Sequence, residues 1–360
     1  MDDKEPKAVD RHISVYENDF EAFNKIRKKY SLSWPEVFKR FSIYQNGIEY
    51  IFSAPGEMSK QLRLDLNTVM GLISMWINNI RGNWYEIDNS PDISELLKDN
   101  IYHGRCAVTI AAGPSLKERD HLKLLHDNPG NRVIFSTAHS LISCLEAGVI
   151  PDFTAVVDGS PKMLPFIDHP LVDKYADDIK IIFCSSVDPG VVKRWKGKQK
   201  YFFMSGIPEN LVPNVDTFLC FLLPKLTQLD TGGNSGAFNF SLAAYLGCGP
   251  IAMIGMDLSH PKGHPYEQTQ YFEAYSQSIG REYKGRKDMI EKCYTDVHHD
   301  FFNTDSYMDF VYEVFLQSLL NMAKYNAENG IKMINCTEGG VVQGDNIECM
   351  KFIEFLKEWG

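Results

Sequence analysis

The chain has 360 residues, 44% apolar and 23% charged, with a formal net charge of −10. That length suffices for one large α/β domain with a sizeable core and a smaller partner. The acidic balance, without any Lys/Arg block, argues against nucleic acid or an anionic membrane surface as partner.

Residues 1–95 read as an N-terminal helical extension. Helical spacing of Phe, Ile, Val and Trp runs over 17–30 and 33–43, and again over 58–80. Within the last stretch, Thr68 to Ile80 is the nearest approach to a membrane span. It falls short of the roughly 20 apolar residues needed, carries Asn78 and Asn79 near its end, and is followed at once by Arg81. The start, Met1-Asp2-Asp3-Lys4-Glu5, has no apolar leader behind it. Eight cysteines are scattered with no CxxC pair. Both features lead to the expectation of a cytoplasmic protein with reduced core thiols.

From Arg105 the character changes. Short β-branched or aromatic runs at 106–111, 132–136, 153–157, 179–184, 201–204, 250–254 and 332–335 alternate with helical segments. Their near-continuous hydrophobicity predicts strands buried on both faces, hence a mostly parallel, doubly wound α/β sheet over 96–345. Residues 259–303 break the rhythm. They are rich in Gly, His, Tyr and charge and carry no clear strand, which predicts a lid or binding loop. A long amphipathic helix is expected over 305–326, and a last helix within 346–360.

In such a sheet, ligands bind beyond the carboxyl ends of the strands. Gly113-Pro114-Ser115 follows the first run and opens a helix, a geometry that aims backbone N–H groups at an anion. Ser136-Thr137-Ala138-His139, Asp158-Gly159-Ser160-Pro161, Gly255-Met256-Asp257-Leu258-Ser259-His260 and Cys336-Thr337-Glu338-Gly339-Gly340 follow others. A second Gly-rich turn, Gly232-Gly233-Asn234-Ser235-Gly236, precedes a helix. It reads either as a phosphate cradle or as a cap. Asp158 and Asp257 read as carboxylates for a Mg²⁺–phosphate or a hydroxyl, or as turn-forming residues. His139, with a packing role as its bland alternative, is a candidate for phosphate or base contact. His298-His299 and Lys284, Arg286 and Lys287 are lesser candidates. Tyr266, Tyr271, Phe272 and Tyr275 read as core.

Three of these blocks, Ala111-Ala112-Gly113-Pro114-Ser115-Leu116, Gly232-Gly233-Asn234-Ser235 through Gly255-Met256-Asp257-Leu258, and Asn335-Cys336-Thr337-Glu338-Gly339-Gly340, carry a resemblance. The chain resembles the MptE-like domain shared by archaeal 6-hydroxymethylpterin pyrophosphokinases and motility accessory factor glycosyltransferases of flagellated bacteria. The likeness covers about residues 95–345 and implies a Rossmann-like transferase core using a nucleotide-activated sugar or ATP. On a glycosyltransferase reading, Gly113, Pro114, Ser115, Gly232, Gly233, Asn234, Ser235, Thr337 and Glu338 would surround the donor phosphate. His139 and Asp158 would contact ribose or base. Asp257, His260 and His264 would orient or deprotonate the acceptor, whether protein, glycan or pterin. On a diphosphokinase reading, Asp158 and Asp257 would hold Mg²⁺ on ATP. A third reading is a binding module that has lost its chemistry.

Overall fold

The computed structural model describes residues 60–206, 223 and 225–360. The helices expected over 17–30 and 33–43 lie outside the described residues. The elements below belong to one compact unit, 56–211 with 225–360.

Nine strands build the main sheet: β1 (Ala107–Ile110), β2 (Val133–Thr137), β3 (Phe153–Val156), β4 (Lys180–Cys184), β5 (Lys200–Ser205), β6 (Gln228–Leu229), β7 (Ile251–Ile254), β11 (Met333–Asn335) and β12 (Ile347–Cys349). Their order is β12-β11-β7-β1-β2-β3-β4-β5-β6, and every pairing is parallel. All seven apolar runs are strands, and β1, β3 and β7 are buried at every position. From β1 the chain winds outward to β6, then returns to β7 on the other side of β1. The strand order therefore reverses between β1 and β7, where an open sheet forms its ligand crevice.

Helices cover both faces. Val108, Ile110, Ala252, Ile254 and Ile334 meet Leu122 and Leu125 of the helix His121–Asp127 and Phe352 and Phe355 of the helix Phe352–Glu358. The helix Ser235–Tyr245 packs across β1, β2, β3 and β7 from the other side. Its residues 236–243 are all buried, Asn239 and Ser241 among them.

The 259–303 region corrects the expectation of a strandless loop. β8 (His260–Pro261), β9 (Tyr294–His299) and β10 (Thr304–Asp309) form a second sheet in the order β8-β10-β9. β9 and β10 are an antiparallel pair. Tyr294 and Tyr307 are buried in them, but Thr, Asp and His fill most of the other positions, so no apolar run marks them. Tyr294 and Tyr307 form a small core with Met289 and Cys293, against which Tyr266, Phe272 and Tyr275 pack. The helix expected from 305 begins at Phe310 and runs to Glu328, because Asp309 is its N-cap. The expected C-terminal helix is preceded by β12, which adds to the sheet edge.

The helix Lys60–Gly82 covers the carboxyl ends of β3 and β4. Asn79 Nδ2 donates to the carbonyls of Gly159 (2.9 Å) and Ser186 (2.8 Å). Asn83, one turn on, donates to Val187 O at 2.6 Å. Among the described residues no helix is long and apolar enough to cross a membrane, and the seven cysteines there are unpaired.

Candidate functional site

The β1–β7 reversal brings the first Gly-Pro-Ser turn against Asp257. Gly113 N–H donates to Gly255 O at 2.8 Å. Ser115 Oγ donates to Asp257 Oδ2 at 2.7 Å, and Ser115 N–H to Oδ1 at 3.3 Å. A Cβ on Gly113 would lie 2.0 Å from Asp257 Oδ2 and 2.6 Å from Gly255 O, so this position admits only glycine. The turn does aim donors at an anion, and the anion is the protein's own carboxylate. Asp257 is 6% exposed. Burial pushes its carboxyl up to about 6, against the lowering effect of the two Ser115 bonds.

The late Thr-Glu-Gly-Gly turn closes over the same residue. Thr337 Oγ1 accepts from Met256 N–H at 3.3 Å, and Val341 N–H donates to Asp257 O at 3.0 Å. Gly340 has φ +73°, and a Cβ there would sit 2.3 Å from Asp257 O. Glu338 is directed elsewhere. Its Oε1 accepts from Phe352 N–H at 3.0 Å, capping the last helix, and lies 3.6 Å from the buried His121 ring. His121 beside it holds the Glu338 carboxyl below its ordinary range. Glu338 thus ties the turn to the flanking helices.

The second Gly-rich turn is a cap with three tight approaches. Asn234 Oδ1 accepts from Ala237 N–H at 2.9 Å, and Asp230 Oδ1 from Gly232 N–H at 2.9 Å. Gly232 and Gly233 have φ of +55° and +78°. Added Cβ atoms would meet Met322 and Ala237 at Gly232, Phe315 at Gly233, and Met256 and Ala111 at Gly236. Packing against the helix Phe310–Glu328 thus accounts for the first two glycines. Gly236 brings the positive end of the helix Ser235–Tyr245 beside the β1 and β7 termini.

Asp158 stands exposed at the end of β3, its Oδ1 accepting from Ser160 N–H at 2.8 Å. His139 packs on Phe166, with ring centroids 4.3 Å apart. Surrounding atoms lower its pKa, while the Asp158 charge acts the other way. Among the described residues no group of three His, Cys, Asp or Glu is placed to hold a metal ion. Asp257 points both oxygens at Ser115 and does not fit as a ligand in this arrangement. Asp158 retains Oδ2, so a Mg²⁺ there would draw most of its ligands from donor phosphates and water.

His260 and His264 come together, stacked at 5.6 Å and 10°. His260 also meets Tyr307 at 5.4 Å and Tyr312 at 5.2 Å. Its Nε2 lies 3.6 Å from Oδ2 of Asp309, which is 1% exposed. Burial, then Asp309 and Asp257, push the Tyr312 hydroxyl up to about 12. Tyr271, 6.1 Å from Tyr312, is raised by burial, then by Tyr312, Asp309 and Asp158. These two tyrosines therefore stand in the fields of both the sheet edge and the inserted β8–β10 sheet. Tyr271 reads as core in the sequence, and Tyr312 and Asp309 are not singled out there. Asp309 had a usable signal, an Asp directly before a helical apolar run.

The remaining candidates are engaged by other groups of the fold. His299 is buried, with Nε2 3.0 Å from Val342 O, while His298 pairs with Asp305 at 2.9 Å on the surface. Arg286 pairs with Glu267 and lies over the Phe272 ring. A pocket of about 410 Å³ at the opposite, amino edge of the sheet is lined by Arg132, Ile134, His126 and Val149, and contains no carboxylate or hydroxyl.

A family model described as 6-hydroxymethylpterin diphosphokinase MptE-like matches residues 78–263, 186 of the 360 residues. No curated protein matches the chain. Among solved structures it is similar to one described as MAf glycosyltransferase from Magnetospirillum magneticum AMB-1. The two are 14% identical, with a TM-score of 0.48, over 69% of this chain and 34% of that one. The chain therefore spans about a third of that protein's length.

Proposed function

Because the chain belongs to the MptE-like family, we propose that it is a transferase that takes a group from a nucleotide-activated donor seated at the β1–β7 crevice. The observation that carries this reading is the convergence there of Ser115, Asp257 and the Thr337-to-Gly340 turn, with the helix Ser235–Tyr245 pointing its positive end at the same place. The donor phosphate would lie beside that helix end, near Asn234 and Ser235. Gly113 and Pro114 shape the floor. Asp158 and His139 stand where a ribose or base would project beyond β3. His260 and His264 face an acceptor hydroxyl. The barrier would fall through positioning and through stabilisation of charge on the departing phosphate.

Glycosyl transfer is the first reading, because the crevice offers carboxylates, hydroxyls and imidazoles suited to activating an acceptor hydroxyl. Diphosphoryl transfer from ATP to a hydroxymethyl acceptor is the second, supported by the family's description. There Asp158 would help hold Mg²⁺. Thermal shift with CMP, UDP, AMP and ATP, with and without Mg²⁺, separates them. Stabilisation by CMP or UDP without metal supports glycosyl transfer. A response to ATP with Mg²⁺ alone supports diphosphoryl transfer. No response to any of the four contradicts a nucleotide-dependent transferase.

A further inference from the structure

We propose that Asp309 keeps the proton of His260 on Nε2, so that Nδ1 faces the crevice as the base that takes the proton of an acceptor hydroxyl. The inference rests on the transferase reading above. It adds to that reading a positioning residue that lies outside residues 78–263, where the family model matches.

The geometry begins with an unequal carboxylate. Asp309 Oδ1 is fully engaged, accepting from Val311 N–H at 2.9 Å, Tyr312 N–H at 3.0 Å and Tyr275 Oη at 3.3 Å. Oδ2 is buried and has no hydrogen-bond partner. His260 Nε2, 3.6 Å away, is likewise buried and unpartnered. A sealed carboxylate oxygen facing a sealed ring nitrogen leaves two costly unsatisfied groups, each the natural partner of the other. The rings of His264, Tyr307 and Tyr312 hold the plane of His260. A slide of under about 1 Å within that plane closes the gap to hydrogen-bond length. The ring is 13% exposed, and Nδ1 is the nitrogen left outside the seal.

The acceptor O–H bond breaks and its proton goes to His260 Nδ1. The freed oxygen pair forms a bond to the donor's electrophilic atom. The bond from that atom to the phosphate oxygen breaks, and its electron pair leaves on the phosphate. His260 becomes an imidazolium, steadied by Asp309, which itself takes no proton.

Asp309 is also the N-cap of the helix Phe310–Glu328, and this makes the test clean. Asn and Ser cap as well as Asp, so Asp309→Asn and Asp309→Ser should melt within about 3 °C of the parent protein. Nitrogen-15 NMR of the imidazoles reads the tautomer without any substrate. The parent protein should show His260 protonated on Nε2. In Asp309→Asn the amide N–H₂ donates into Nε2 and drives the proton to Nδ1; in Asp309→Ser the preference should weaken. With the donor identified by thermal shift, Asp309→Asn should lower kcat about 10³- to 10⁴-fold with KM little changed. His260→Gln should match it, and the double variant should lose no more. An Nδ1–H tautomer in the parent protein, or no change in Asp309→Asn, overturns the pairing. A tautomer that moves while kcat does not overturns the role of His260 as base. Absence of transfer by the parent protein with every donor contradicts the transferase reading instead, with the tautomer result still deciding whether Asp309 and His260 pair.

Discussion

Replacing Asp257 with Asn should stabilise the fold at neutral pH. In the folded protein burial holds the Asp257 carboxyl near 6, against an ordinary 3.8. The folded state therefore keeps a proton that the unfolded chain releases between about pH 4 and 6. The penalty for ionising this group in place is nearly absent below about 4, grows through that window, and is complete above about 6. At about 1.4 kcal/mol per tenfold shift in proton affinity, it reaches about 3 kcal/mol at pH 7.5 and well under about 1 kcal/mol at pH 4. An amide keeps the shape and can still bond Ser115, with its oxygen facing the Ser115 N–H. Allowing for its own burial, Asp257→Asn should gain about 1 to 3 kcal/mol at pH 7.5. Urea unfolding followed by tryptophan fluorescence at pH 4, 6 and 7.5 measures the difference between the two proteins at each pH. Other titrating groups cancel in that difference. A variant less stable at pH 7.5, or a difference that does not shrink towards pH 4, refutes the assignment of Asp257 as a strained buried carboxylate.

Three further substitutions probe the frame. Gly113→Ala forces a Cβ into Asp257 and Gly255. It should destabilise by about 2 to 4 kcal/mol and abolish nucleotide binding, measured by urea unfolding and calorimetry. Arg132→Met removes donors to Trp359 O, Asn128 O and Leu356 O, at 2.8, 2.9 and 2.5 Å. It should cost about 2 to 4 kcal/mol and speed amide exchange first in the helix Phe352–Glu358. Asn79→Ala releases the Gly159 and Ser186 carbonyls. About 1 to 3 kcal/mol should be lost, with faster exchange in the loops after β3 and β4.

The seven central strands were legible because each is buried on both faces and so written almost wholly in apolar residues. The crevice was legible for the same reason, since polar residues following such runs must lie at one sheet edge. What the sequence hid has physical causes. β9 and β10 contribute only Tyr294 and Tyr307 to a small aromatic core, and Thr, Asp and His fill most of their other positions, so no run stands out. β12 is three residues long, too short for any period to register. The glycines of the second turn pointed to a ligand until Phe315 and Met322 supplied a steric reason for them. Glu338 was grouped with the phosphate residues by its neighbours in sequence. Its left-handed backbone, φ +57°, turns it towards Phe352 and His121 instead. The pairing of Ser115 with Asp257 joins residues 142 positions apart, and only the return of the chain to β7 brings them together.

The central claim, that the donor phosphate seats at the β1–β7 crevice, is tested most directly by mapping backbone amide shifts as CMP or ATP with Mg²⁺ is titrated into the protein. The largest shifts are expected at Gly113, Ser115, Leu116 and residues 232–236. Shifts confined to Gly130, Arg132 and Ile134 at the opposite edge, or none with either nucleotide, would contradict it.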